Sequence, residues 1–169
     1  AGGSLAAAFI PVYSAYLHED DRRRDSARLA NTVLTLVILL LGALSALGAI
    51  FAPWLTRMIL VPDFDPATQV LTASIMRIIL VQTTIFGISG VLSSILHAHQ
   101  HFALPALAPI ALDVGYWVGI VFLVPSLGIE GLAWGTVIGA VLHVAVQLPA
   151  MFRLRYRYWP TLDLRLDGV

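Results

Sequence analysis

Residues 101–113 read HFALPALAPIALD, and the rest of the chain can be interpreted from this stretch. A polar turn is followed by two prolines four residues apart, Pro105 and Pro109, and an acidic residue, Asp113, then stands deep in an apolar run. The segments before it are typical of membrane helices, and they bring the chain to one side of the membrane. The segments after it predict one span going back up and another returning.

The composition predicts a membrane protein. Of the 169 residues, 59% are hydrophobic and 12% are charged, whereas a soluble domain carries about 25% charged residues. The mean hydropathy is +0.86, and such a chain cannot cover a globule with polar surface. Ten arginines balance ten acids, which argues against a nucleic-acid partner. Cysteine is absent, so no disulfide or thiol chemistry is expected.

The hydrophobic runs predict an all-α, polytopic membrane helix bundle. These runs exceed 20 residues without alternation, which excludes transmembrane β-strands, and they lack the polar faces of a soluble bundle. The apolar run at 1–17 is too short for a complete span, so we expect a fragment of a longer protein. Residues 1–169 then form a single transmembrane domain fragment, with a partial helix at about 1–17 and four full transmembrane helices at about 29–52, 70–96, 102–124 and 131–152.

The arginines predict the orientation. Four spans separate two arginine clusters, which therefore fall on one side of the membrane: Arg22, Arg23, Arg24 and Arg28 in the first, and Arg153, Arg155, Arg157 and Arg165 in the second. Arginine-rich loops stay in the cytoplasm. The loop 18–28, the turn 97–101 and the C-terminal tail are therefore predicted to be cytoplasmic, and 53–69 and 125–130 external.

Two ionisable side chains are predicted near the middle of the bilayer. Asp113 and His143 each lie about ten residues, or roughly 15 Å, into neighbouring antiparallel spans. Because an unpaired ionisable group at that depth is costly, we expect the two to face each other or a shared aqueous cavity. Gln147, one helical turn from His143, would lie on the same face. A hydrogen bond that only clamps two helices is the alternative.

Three further features have weaker implications. Arg77 either extends to the interface or contacts an anionic substrate from inside. The motif H-x-H-x-H at 97–101 reads as a solvated turn, since one turn without a carboxylate is a weak metal signal; no metal site and no cofactor are expected. Glycines at every fourth position, at 131, 135 and 139, and the pair at 115 and 119, predict close helix packing.

Several segments together resemble the MurJ/MviN-type lipid II flippases of the multidrug/oligosaccharidyl-lipid/polysaccharide exporter superfamily. The resemblance covers nearly the whole chain, and the succession of FALPALAP, GIEGLAWG and QLP is its most specific part. The quoted segments are AFIPVYSAYL (8–17), LANTVLTL (29–36), FAPWL (51–55), DFDPAT (63–68), HFALPALAP (101–109), GIEGLAWG (128–135) and QLPAM (147–151).

The resemblance implies a fold and a function. The chain would be the N-terminal lobe of a larger two-lobed transporter, without its first helix and part of its second. It would move an undecaprenyl-pyrophosphate-linked peptidoglycan precursor across the bacterial cytoplasmic membrane by alternating access. The implied partners are this lipid-linked oligosaccharide, membrane lipid and the remaining helices of the transporter. The family's main pyrophosphate-binding arginines lie outside this chain.

The chain departs from the family pattern at positions that bear on the site. Asp113 stands where the family often has Asn, His143 where it often has Gln, and His101 where Arg is common. The substrate-cavity candidates are therefore Asp113, His143, Gln147 and Arg77. No enzyme activity is expected. Three alternatives remain: another polyprenyl-glycan exporter of the superfamily, a non-transporting membrane scaffold, and an intramembrane enzyme using Asp113 and His143 as acid and base.

Overall fold

The computed structural model describes residues 2–18 and 23–163, which form helices joined by short turns. The loop residues 19–22, with Arg22, and the tail residues 164–169, with Arg165, lie outside the described residues. The helices are α1 (Gly2–His18), α2 (Arg23–Leu55), α3 (Pro66–Ala98), α4 (Ala103–Val118), the single turn α5 (Val124–Leu127) and α6 (Ile129–Arg153).

The described helices confirm the predicted all-α membrane bundle. Four stretches are long and apolar enough to cross a membrane: Asp25–Leu60, Pro66–Ala98, Ala103–Leu127 and Ile129–Arg153. The helix α1 is too short for this, as expected for the partial helix at 1–17. Helices α2 and α3 have 33 residues each, or about 50 Å, so they extend beyond a hydrocarbon core of about 30 Å.

The helix ends differ from the predicted span boundaries. Helix α2 begins at Arg23 rather than near residue 29, because polar residues outside the hydrocarbon continue the helix and leave no trace in the hydropathy. It also passes through Pro53 and continues as a π-helical turn over Thr56–Leu60, where the sequence predicted a loop. A second π-helical turn, Gly119–Leu123, joins α4 to α5.

Lateral packing places the long helices in the order α2, α3, α6, α4. Helix α1 packs on α2 and α3, whereas α3 and α4, although consecutive, barely touch. The start of α2, the turn 99–102 and the end of α6 lie together at one end of the bundle, which we call the arginine end. The turns at 61–65 and at Gly128 form the opposite end.

The largest buried cluster lies towards the arginine end. It joins side chains from α1, α2, α3 and α6, with Leu29, Ile95 and Leu96 fully enclosed. Elsewhere the long helices expose large apolar side chains, among them Leu40, Ile50 and Trp117. An exposed apolar surface of this kind suits lipid or further membrane helices.

The tail after α6 folds back along α2. Burial raises the pKa of the Tyr156 phenol, and the neighbouring Tyr13 and Tyr158 add to the effect, so this hydroxyl stays a neutral donor. The tail's hydrogen bonds run from Tyr156 to Asn31 Oδ1 (2.6 Å), between Tyr158 and Thr35 (3.0 Å), and from the backbone N–H of Asp163 to Thr32 Oγ1 (3.2 Å).

The close helix packing predicted from the glycines is confirmed, and it joins α4 to α6. A Cβ atom on Gly135 would lie 2.7 Å from the Cα atom of Gly119 and 3.0 Å from the carbonyl oxygen of Gly115. One on Gly115 would collide with the backbone of Gly139. The two backbones therefore touch directly, which only glycine allows.

We expect Gly135→Ala to destabilise the full-length protein, because the added methyl group meets the backbone of α4 rather than a movable side chain. Overpacking of this kind costs about 1–3 kcal/mol. Gly42→Ala is the matched control, since no atom lies within 4 Å of a Cβ atom there. Thermal unfolding in detergent measures both, and equal midpoints for the two variants would contradict the backbone contact.

Candidate functional site

Polar side chains within the spans collect in two places. The first is the α3–α6 polar cluster, formed by Ser89, Ser93, His143 and Gln147. The second is the α2–α3 groove, a cavity of about 320 Å³. Its lining includes Arg77 together with Ser45 and Thr84. These two places contain three of the four side chains that the sequence singled out.

The α3–α6 polar cluster is a closed chain of hydrogen bonds. Gln147 Nε2 donates to Ser89 Oγ at 2.6 Å, and Ser89 Oγ lies 2.6 Å from His143 Nδ1. Ser89 Oγ can accept from Gln147 and still act as either donor or acceptor towards Nδ1, so the Ser89–His143 bond forms in both ring tautomers. Ser93 Oγ donates to Gln147 Oε1 at 2.8 Å. Every oxygen and nitrogen of the Gln147 amide therefore has a partner.

Burial decides what this cluster can do. Ser89 and Gln147 are 0% exposed and His143 is 8% exposed, with the Phe86 ring 4.8 Å from the imidazole centroid. A serine next to a histidine is the arrangement of an activated nucleophile. A substrate cannot reach an enclosed Ser89, however, so the geometry favours a clamp between α3 and α6.

The structure corrects the predicted pairing of Asp113 with His143. Gln147 lies beside His143, as expected, but the polar partner on the neighbouring helix is Ser89 of α3. Asp113 is exposed, and within the described part of the chain it has no ion pair or hydrogen bond. The reason is helical geometry: Gly115 faces α6, and a residue two positions away points about 200° around the helix.

Arg77 has a partner that neither sequence alternative foresaw. Its Nε atom donates to the backbone oxygen of Ala49 in α2 at 3.0 Å. In an α-helix that oxygen would accept from the residue four positions on, which is Pro53 and has no N–H. Arg77 therefore satisfies the carbonyl that Pro53 leaves free, and this explains how α2 passes through a proline.

The α2–α3 groove keeps a positive charge available. The Nε atom is occupied, but the terminal nitrogens of Arg77 have no acidic partner among residues 2–18 and 23–163. Ser45 Oγ donates to Leu80 O at 3.1 Å and lies 2.8 Å from Thr84 Oγ1. The groove thus combines a cation and hydroxyl groups on an apolar wall, a combination that suits an anionic group on a lipid.

The histidines of 97–101 do not converge. His97 stacks on Phe102, with ring centroids 5.5 Å apart, and His99 Nε2 lies 3.3 Å from the Tyr13 hydroxyl. Burial lowers the pKa of His99, and the nearby His101 lowers it further. In the described part of the chain, no group of three His, Asp or Glu side chains could hold a metal ion.

The sequence did not identify the partners that organise both places. Helix α3 is continuous through Ser89 and Ser93, and these two residues bind His143 and Gln147. Ser45 and Thr84 were not singled out. The sequence signal that could have found Ser89 and Ser93 is their spacing. Polar residues four positions apart in an apolar run share one face of a helix.

Comparison with known proteins agrees with this architecture. The family model described as "Lipid II flippase MurJ" matches residues 1–169, which is the whole chain. The chain belongs to the MurJ family. In this chain the segments FALPALAP and GIEGLAWG open two neighbouring spans.

Individual MurJ relatives match along most of the chain. A probable lipid II flippase MurJ of Bdellovibrio bacteriovorus is 35% identical over 159 residues, which is 91% of this chain and 30% of the relative. The lipid II flippase MurJ of Burkholderia cenocepacia is 27% identical over 154 residues, 89% of this chain and 30% of the relative. The chain thus spans about 30% of the length of these curated relatives.

We expect a double-mutant cycle to couple Arg77 and Pro53. Arg77→Ala should lower the unfolding free energy by about 0.5–1.5 kcal/mol, the value of a hydrogen bond. In a Pro53→Ala background the restored N–H satisfies Ala49, so the same substitution should cost less. Denaturant unfolding of the full-length protein measures the coupling, and a parallel cycle with the exposed Arg57 is the control. Equal costs of Arg77→Ala in both backgrounds would contradict the assigned contact.

Proposed function

We propose that this chain is part of a transporter that moves lipid II, the lipid-linked peptidoglycan precursor, across the cytoplasmic membrane. The observation that carries the proposal is the match of residues 1–169 to the lipid II flippase family. In this proposal the lipid-linked oligosaccharide is the substrate, and the remaining helices of the full-length transporter complete its pathway. No covalent chemistry is required of this chain.

The proposed mechanism is alternating access, with the described helices moving as one body. Direct backbone contact joins α4 to α6, the polar cluster joins α6 to α3, and two polar contacts in the α2–α3 groove join α3 to α2. Because contacts hold each neighbouring pair of long helices together, the substrate pathway would open and close between this unit and the rest of the transporter.

We further propose that the arginine end faces the cytoplasm. The positive-inside rule supports this orientation. Arg28, near the start of α2, and Arg153, at the end of α6, both lie at the arginine end. The turns at 61–65 and at Gly128 would then face outward. This direction places the C-terminal tail on the cytoplasmic side.

Among the candidate residues, Arg77 is proposed to contact the substrate from the α2–α3 groove. Its free guanidinium nitrogens can bind an anionic oxygen through charge-assisted hydrogen bonds. Asp113, on the α4 surface away from α6, is proposed to face the cavity between the lobes. His143 and Gln147 are proposed to support that cavity from behind by holding α3 against α6.

Two other functions are tested by the same experiment. Another exporter of the superfamily would move a different polyprenyl-linked glycan, and a non-transporting scaffold would keep the helix contacts without moving lipid.

We expect depletion of the full-length protein to leave lipid II in the inner leaflet, measured as loss of its accessibility to a probe outside intact spheroplasts. Unchanged accessibility under complete depletion would contradict transport.

Complementation of the depleted cells tests the role of Arg77 separately from its structural contact. Pro53→Ala removes the structural need for Arg77, so transport should persist in that variant alone. Adding Arg77→Gln should then lower the rate about ten-fold, the effect of losing one charge-assisted contact. Pro53→Ala with Arg57→Gln is the matched control. Equal rates for the two double variants would exclude Arg77 from substrate contact.

A further inference from the structure

A second cavity, of about 570 Å³, lies at the arginine end and plays no part in the proposed transport mechanism. Residues 100–104, which form the turn between α3 and α4 and the start of α4, line one wall, and Pro149, Ala150 and Arg153 of α6 line the other. We call it the arginine-end cavity. It is separate from the α2–α3 groove, with which it shares no residue.

The charge of this cavity has one sign. Arg153 and His101 are its basic side chains, Gln100 adds an amide, and no acidic residue contributes to the lining. Within residues 2–18 and 23–163, the side chains of Arg153 and His101 have no hydrogen bond or ion pair with another residue. Both side chains are exposed, so their donors are available to an anion.

The backbone of the wall adds donors of the same kind. Helix α4 begins at Ala103, and Phe102 before it provides no side-chain cap. The N–H groups of Ala103 and Leu104 therefore lack the side-chain acceptor that commonly satisfies a helix start, and such groups favour an anion. The turn itself is fixed by hydrogen bonds from the N–H of Gln100 to His97 O and from that of His101 to Leu96 O.

The rest of the lining is apolar and lies at the level of the helix ends. Phe102 is 58% exposed beside the cavity, and Phe152 on the last turn of α6 is 72% exposed. Large apolar side chains this exposed at helix ends suit contact with lipid. A free phosphate ion would use the basic groups but not this apolar wall, whereas a phospholipid would use both.

We propose that the arginine-end cavity binds the headgroup phosphate of an anionic phospholipid. Arg153 and His101 contact the phosphate oxygens, and the upper part of an acyl chain lies along Phe102 and Pro149. Basic pockets between transmembrane helices bind anionic headgroups in this way. The site is independent of the proposed transport function, because it uses neither Arg77 nor the α3–α6 polar cluster.

Native mass spectrometry of the purified full-length protein tests the site, with dioleoyl phosphatidylglycerol as the probe. We expect Arg153→Gln to weaken phosphatidylglycerol binding about ten-fold, the loss of one charge-assisted contact. Dioleoyl phosphatidylcholine, whose headgroup has no net charge, should bind equally to both proteins. Arg157→Gln, which removes an equal charge from the neighbouring tail outside the cavity, is the matched control and should bind like the unmodified protein.

Two more variants keep the test decisive if Arg153→Gln does not fold. Arg153→Lys keeps the charge and should retain most binding, and Ala103→Trp fills the cavity without changing any charge and should weaken it. Phosphatidylglycerol binding that is unchanged in Ala103→Trp and Arg153→Gln would overturn the proposal. Stoichiometric undecaprenyl diphosphate is the competitor. If it displaces phosphatidylglycerol from the unmodified protein but not from Arg153→Gln, the phospholipid assignment is overturned in favour of the transport substrate. Failure of lipid II transport would leave the phosphatidylglycerol result unaffected.

Discussion

A polar group inside a membrane and away from water must find its partner within the protein, because hydrocarbon offers none. This constraint explains the contacts that organise the described helices. The amide of Gln147 is fully enclosed and binds Ser89 and Ser93. The Ala49 carbonyl, deprived of a donor by Pro53, is satisfied from another helix by Arg77. In each case a polar group within one span forms a hydrogen bond to another helix.

These bonds act together with one contact that needs no side chain. Between α4 and α6 the glycines bring two backbones into direct contact, and van der Waals packing does the work that hydrogen bonds do between α2, α3 and α6. At the arginine end, Tyr156 and Tyr158 fasten the tail to α2. The lateral order α2, α3, α6, α4 is thus fixed at every step, and it leaves the exposed apolar surfaces free for lipid or further membrane helices.

The sequence predicted the fold well and the site only in part. Hydropathy identified the spans, and glycine spacing identified the faces of α4 and α6 that pack closely, because both signals are local. The pairing of Asp113 with His143 was wrong, since depth along a helix does not determine the direction around it, and α6 turns His143 towards α3. The role of Arg77 depends on Pro53 in a different helix, a relation that only the packing reveals. The hydrogen bonds between the tail and α2 were not predicted either. Tyr156 and Tyr158 follow the last apolar run, and hydropathy does not predict side-chain contacts there.

We infer that these contacts make the described helices one rigid unit. Double electron–electron resonance on the full-length protein measures the distance between two spin labels and tests this rigidity most directly. The labels are attached at two exposed positions, Arg28 on α2 and Phe152 on α6. The prediction is a single distance distribution that stays the same with and without lipid-linked substrate, and that broadens when Ser89→Ala and Gln147→Leu remove the polar cluster. A distribution that shifts or splits in the unmodified protein upon adding substrate would contradict the rigid unit.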